Sequence, residues 1–191
     1  MQCMLQSVKL QYQLAINNQL TAPKFMSTES VKYLHFLSFM RYTELKIHLK
    51  MYRKAKEWVN TPYHHQAAVK QVGCDCIGLL VGVWTKLLGN LPVQPPIYSP
   101  QWHLHQDESQ LIHVLKNTYE FVEVNASSPP LGSVLCFGLK GRPAHHAAIV
   151  SGENKFIHSY ATPKKVVEVT LDESWKKRLT LILDYPMVEN G

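Results

Sequence analysis

The stretch VGCDCIGLLVGVWTKLLG, residues 72–89, sets Cys74 and Cys76 one residue apart at the front of an apolar run. From Asp75 to Leu88 the spacing is helical, with Cys76, Leu80, Val83, Trp84 and Leu87 on one face. Asp75 suits the cap of a helix start and Gly89 its end, so the run predicts a helix with Cys76 in the first turn. Unpaired backbone N–H groups and the helix dipole favour a thiolate there, and the thiolate is the nucleophilic form of cysteine. Four readings of the pair are open at this point: a metal clip, a redox pair, buried packing, or a nucleophile with a neighbour.

A second helix fits LKIHLKMYRKAKEWV, residues 45–59, and must end at Asn60-Thr61-Pro62, because proline cannot continue it. A proline-rich loop follows the cysteine helix, and a short amphipathic helix is expected over about Glu108–Asn117. The remainder reads as short strands between turns: residues 119–124, 132–139, 146–151, 155–160, 165–171 and 179–185. Helices first and strands afterwards predict an α+β fold with an antiparallel sheet. Residues 1–45 differ: rich in Gln, Asn and Met and broken at Ala22-Pro23, they read as an extension or a misassigned start ahead of a domain over 46–191. Met26, Met40 and Met51 are alternative starts.

The chain carries a formal net charge of +6. Lys and Arg are scattered rather than set in a stripe with aromatics, which argues against a nucleic-acid partner and leaves an anionic polymer such as a bacterial wall as plausible. Four cysteines (Cys3, Cys74, Cys76, Cys136) do not make a disulfide scaffold, and neighbours two apart rarely bridge. No segment reaches the roughly 18 apolar residues of a membrane span. The N-terminus lacks a signal-peptide layout, so the expectation is synthesis in the cytoplasm and another route to any wall.

The strand beginning at His146 and the strand holding His158 are joined by a hairpin through Ser151–Asn154. Side by side, one imidazole can act as general base for Cys76 while the other holds its second ring nitrogen. Each residue also has a plain structural reading: Cys76 and Cys74 as small buried residues, His158 as a core histidine, Cys136 as core, and His64 and His65 as a solvated loop. His145 and His146 point to opposite sides of a strand, so only one can face the cysteine. Zinc on Cys74, Cys76, His145 and His146 is the main rival. Cys-x-Cys is shorter than the usual knuckle spacing, and a helix N-terminus disfavours a cation.

The motif TPYHHQAAVKQVGCDCIGLLVGVW, residues 61–84, resembles the nucleophile region of the NlpC/P60 cysteine peptidases. LGSVLCFGLKGRPAHHAAIVSG and KFIHSY resemble that family's base-bearing and base-orienting strands. Gly73–Gly78, Tyr98–Trp102 and His146–Ile149 are similar to the branch found in phage tail modules and gene-transfer agents. Two departures are Ile77 for the family's serine and Ser133 for its aspartate. The resemblance implies a papain-like fold, a nucleophile helix packed on a central antiparallel sheet, and no cofactor or metal. It implies Cys76 as nucleophile, His146 as base, His158 as the residue orienting it, Tyr63 as an oxyanion donor and Asp75 as support for the helix start. It further implies hydrolysis of peptidoglycan stem peptides, typically between D-glutamate and a diamino acid, by a tail-associated thiol peptidase with other tail proteins as partners. The alternatives are a catalytically silent tail-assembly or wall-binding module of the same fold, and an amidase or acyltransferase variant.

Overall fold

The structure, a computed structural model, describes residues 47–89, 93–99, 109–126 and 128–185, together with Ser38. The chain divides between Glu44 and Leu45, and the reading of residues 1–45 as an extension lies outside the described residues except Ser38.

Residues 47–56 form α1, which buries Met51 and Ala55; the turn after it buries Trp58. Two short strands, β1 (Ala68–Val69) and β2 (Gly73–Cys74), pair antiparallel and lead into α2 (Cys76–Leu88). Gly89, at φ 89°, ends α2 in the left-handed region that glycine enters freely. Next come α3 (Gln110–His113), which passes into a π-helical turn at Val114–Thr118, and β3 (Val122–Glu123). The chain then runs through β4 (Val134–Phe137), β5 (His146–Gly152), β6 (Lys155–Tyr160), β7 (Lys165–Thr170), α4 (Glu173–Lys176) and β8 (Leu179–Asp184).

Six strands form one antiparallel sheet in the order β3-β8-β4-β5-β6-β7. The fold is therefore α+β, with α2 packed on β5 and β6. Strand alternation sorts the core into two layers. Val134, Cys136, Ala147, Ile149 and Ile157 meet Leu79, Leu80, Val83 and Trp84 of α2. Leu135, Phe137, Ala148, Val150 and Phe156 build the other layer, on which Trp175 packs.

The expected strand over 119–124 is mostly not a strand. The π-turn runs to Thr118, and Tyr119 and Phe121 fold into an aromatic cluster, their rings 6.0 Å and 5.5 Å from that of Trp84. The exposed Val122–Glu123 pair reaches β8, followed by the Val124 N–H, which donates to the Ile182 carbonyl at 2.9 Å. Burial of large rings outweighs the local preference for an extended chain.

Two glycines let α2 sit close. A Cβ on Gly78 would lie 1.8 Å from the Ala67 carbonyl oxygen, and one on Gly82 would lie 2.0 Å from the Trp58 ring. Gly78→Ala must push backbone apart and is expected to lower unfolding free energy by about 1–3 kcal/mol in urea titration. Gly152→Ala, which meets nothing within 4 Å, should stay within about 0.5 kcal/mol of the parent.

Candidate active site

Asp75 is only 2% exposed, yet it carries a carboxylate. Its Oδ1 accepts the Gly78 N–H at 2.8 Å, capping α2. Its Oδ2 accepts the Gln66 N–H at 2.7 Å and the Tyr98 hydroxyl, and His65 Nδ1 stands 3.4 Å away. Three separate segments thus converge on one side chain at the helix start.

Cys76, partly buried and free, is the first residue of α2. The backbone N–H groups of Ala147, Ile77 and Cys76 itself act to hold its anion. The Ala147 contact puts the sulfur against the residue that follows His146. Burial, and next the Asp75 charge, outweigh those amides and push the thiol up to about 12. This corrects the expectation that the helix start favours a thiolate at rest: the carboxylate that caps the helix also repels the anion.

His146 and His158 lie on adjacent strands, and His146 Nε2 is hydrogen-bonded to His158 Nδ1 at 2.8 Å. His158 is 1% exposed and its Nε2 has no partner among the described residues. Aromatic rings enclose the pair. Tyr160 stacks on His158 at 5.0 Å, Trp175 meets it edge-on at 5.1 Å, and Phe156 lies 4.9 Å away. Tyr160 and Phe137 lie 5.7 and 6.2 Å from the His146 ring. Burial, then the Arg178 charge, lowers His158 to about 4. Burial first, then the charges of His158, His145 and Arg178, holds His146 well below the usual histidine range. Both rings are neutral at neutral pH.

Tyr63 N–H donates to the Lys164 carbonyl, and burial, then the charges of Asp75 and Cys76, raise its phenol. Cys74 is fully buried below the helix start, where the Ser159 hydroxyl donates to its carbonyl at 2.7 Å, and burial pushes its thiol to about 11. Cys136 is equally buried, in β4. His145 is half-buried with its Nδ1 donating to the Pro143 carbonyl at 3.1 Å. Among the described residues no three His, Cys, Asp or Glu side chains are placed to hold a metal ion. No helix among them is long and apolar enough to cross a membrane.

Sequence reasoning did not single out Tyr98, whose phenol is pushed up by burial and by Asp75 and which also feels Cys76. Its position at the head of the Tyr98–Trp102 motif was the available signal. Trp175, Tyr160 and Arg178, which surround the histidines, carried none.

The NlpC/P60 family profile matches residues 60–184, the span that holds every one of these groups. The chain belongs to the NlpC/P60 family. Members of that family are cysteine hydrolases. Among solved structures, it is similar to an NlpC/P60 family protein from Bacillus cereus at 18% identity and TM-score 0.51, covering 72% of this chain and 40% of that one. It is similar to NlpC2 from Trichomonas vaginalis at 17% identity and TM-score 0.51, covering 71% of this chain and 46% of that one. The resuscitation promoting factor interacting protein RipA matches at 14% identity and TM-score 0.52, covering 76% of this chain and 64% of that one. The chain thus spans less than two thirds of each of these three NlpC/P60 structures, and the likeness is one of fold. No curated protein matches the chain in sequence.

The depressed histidines make stability depend on acid. In the unfolded chain histidine titrates near 6.5, so between pH 6.5 and about 4 the unfolded state binds more protons. Stability is then lost as the pH falls through that window. From pH 7 to 5 His158 contributes a loss of roughly 2 kcal/mol. Urea titrations at the two pH values should show that loss shrink by about this amount in His158→Asn.

Proposed function

We propose that this NlpC/P60 domain is a thiol peptidase that hydrolyses an amide bond in peptidoglycan stem peptides. The observation that carries the reading is the hydrogen-bonded His146–His158 pair on adjacent strands, with the Cys76 sulfur against the amide of the residue after His146. Family membership supplies the reaction class, and the motifs at residues 61–84 and 131–160 supply the substrate class.

The chemistry follows from tautomers. His158 Nε2 has no acceptor or donor among the described residues and is surrounded by rings. An N–H there is tolerated, because it can lie against an aromatic face, whereas a bare lone pair gains nothing. His158 Nδ1 is then the acceptor, and His146 Nε2–H donates to it. That leaves His146 Nδ1 bare and basic.

With thiol and imidazole both neutral at rest, His146 takes the Cys76 proton as sulfur attacks the carbonyl carbon. The N–H groups at the start of α2, with the Tyr63 hydroxyl, stabilise the oxyanion. The C–N bond breaks as His146 returns the proton to the leaving amine. Water, deprotonated by the same imidazole, then cleaves the thioester. Asp75 and Tyr98 hold the helix start in place, and His158 orients the base.

The bond is that between D-glutamate and the diamino acid. The Gly73–Gly78 and His146–Ile149 motifs, with Tyr98 and Ser99 of the loop motif, support assignment to the phage-tail and gene-transfer-agent branch; the rest of that loop, residues 100–102, lies outside the described residues. On this reading the protein is delivered to the wall on a tail.

The raised thiol and the lowered histidines favour the second reading, a silent wall-binding module of the same fold. Turnover decides between them. Cys76→Ala is expected to lower release of soluble fragments from purified walls by at least about a thousandfold with the fold intact. Mass spectrometry of the products should show new amines on the diamino acid. Unchanged digestion by the alanine variant sinks the peptidase reading. Cleavage at the sugar-linked amide identifies an amidase, and products joined to an added amine identify acyl transfer.

Asp75→Asn tests the electrostatics separately. Removing the charge removes one of the two causes that raise the Cys76 thiol, so its iodoacetamide alkylation profile should move to lower pH. Circular dichroism checks that the helix start survives.

A further inference from the structure

Next to the histidine pair the surface opens into a cleft of about 450 Å³ between the turn after β4 and the turn before β8. Lys140, Arg142, Lys177 and Arg178 line it, with Thr180 and Gly138, and none of its lining residues is acidic. Lys140, Arg142 and Lys177 are exposed. Among the described residues, neither Lys140 nor Lys177 takes part in an ion pair. Lys176, one residue away, is paired with Glu173 and does not line the cleft.

Topology fixes where this cleft stands relative to the chemistry. Phe137, the last residue of β4, pairs with both His146 and Leu179. The cleft residues therefore continue past the same end of the sheet at which His146 sits. Across that end the strands run β8-β4-β5-β6, so the cleft lies beside His146 on the side away from His158. Arg178 links the two: its guanidinium lies 4.5 Å over the Trp175 ring, which stands 6.1 Å from the His146 ring. Its Nε is buried without a partner among the described residues, while its backbone carbonyl accepts the Gly138 N–H at 2.8 Å and so fixes its place in the wall.

We infer that this cleft is an anion subsite that holds a free carboxylate on the amine-bearing half of the substrate. The identity of that half rests on the proposed hydrolysis. His146 must hand its proton to the leaving amine, so the fragment that departs lies over His146 and extends toward the cleft beside it. Lys140 and Lys177, neither in an ion pair among the described residues, are suited to a fragment with more than one carboxylate, as a dicarboxylic diamino acid or a peptide C-terminus presents. Arginine engages such a group through two N–H donors and lysine as a point charge. The cleft thereby selects stem peptides whose leaving half is unamidated.

The test uses two stem peptides that differ only in whether the carboxylates of the leaving half are free or amidated. Binding is titrated by calorimetry to the full chain carrying Cys76→Ala, which separates recognition from turnover. The free form should bind at least about fivefold more tightly than the amide. Adding Lys140→Gln and Lys177→Gln should bring that ratio close to one while leaving affinity for the amide unchanged. In the chain with Cys76 intact, kcat/KM should show the same preference and the same collapse. Equal binding of the two forms, a ratio that survives both glutamines, or binding of neither form overturns the subsite. A carboxylate-dependent ratio with no cleavage of either peptide leaves the subsite standing and removes the peptidase reading alone.

Discussion

The arrangement at the start of α2 depends on one buried carboxylate. A charge in the position of Asp75 is tolerated only when donors replace the water it has lost. Here the Gly78 amide, the Gln66 amide and the Tyr98 hydroxyl do so. Because those donors come from α2, from the loop after Pro62 and from the segment 93–99, satisfying Asp75 fixes all three segments at once. The loop carries Tyr63, and the helix carries Cys76. The 93–99 segment is tied a second time, since the Tyr119 hydroxyl donates to the Val93 carbonyl at 2.8 Å. Losing one donor leaves part of the carboxylate uncompensated, which couples the geometry of the nucleophile to contacts distant in sequence.

The same carboxylate sets the resting electrostatics. A helix N-terminus presents roughly half a positive charge, which on its own lowers a thiol. Burial reverses that balance, and the full negative charge of Asp75 one residue away adds to it. On the other side of the pair, the aromatic enclosure and Arg178 keep both imidazoles neutral. The Cys76 thiol and both imidazoles are therefore uncharged at rest, and in the proposed reaction proton transfer accompanies attack instead of preceding it. A substrate that excludes water from this end disturbs a neutral pair far less than it would an ion pair, because no solvated charges have to be stripped.

Much of this was legible in the sequence because it is local. The cap at Asp75, the apolar face of α2 and the stop at Gly89 lie within one 18-residue stretch, 72–89, and α2 begins and ends within a residue of that reading. Strands β4 to β8 announced themselves by β-branched runs between turns. What escaped has long range or little length. Strands β1 and β2 have two residues each, too few for any periodicity, and their turn relies on Gln71 at φ 65°. Tyr98 reaches Asp75 across 23 positions. The thiol was misjudged for the same reason: Asp75 was visible beside Cys76, but its burial was not. The role of Trp175 depends on a four-residue helix that folds it onto a sheet face whose other members are distant in the chain.

The catalytic end and the basic cleft share one cause in the sheet. Between Cys136 and Phe137 the β4–β8 ladder slips, so that Cys136 pairs with Leu181 and Phe137 with Leu179. Thr180 is left out of the pairing, and its hydroxyl turns to donate to the Cys136 carbonyl at 2.8 Å. A bulge of this kind bends its strand and increases the local twist. Beyond it the two strands stay joined through the Gly138 N–H to the Arg178 carbonyl, and the residues past that bond become the walls of the cleft. Gly138 shows how tight that point is: a Cβ there would lie 3.0 Å from the Arg142 carbonyl oxygen and 3.2 Å from Thr180. β5, paired on the other side of β4, keeps regular register through Phe137 and His146 and so holds the histidine rigidly where its neighbour opens. One extra residue in β8 thus separates the regularly paired His146 from an open, positively charged wall, which is the arrangement that the proposed hydrolysis asks of a proton-carrying group and a surface for the leaving half.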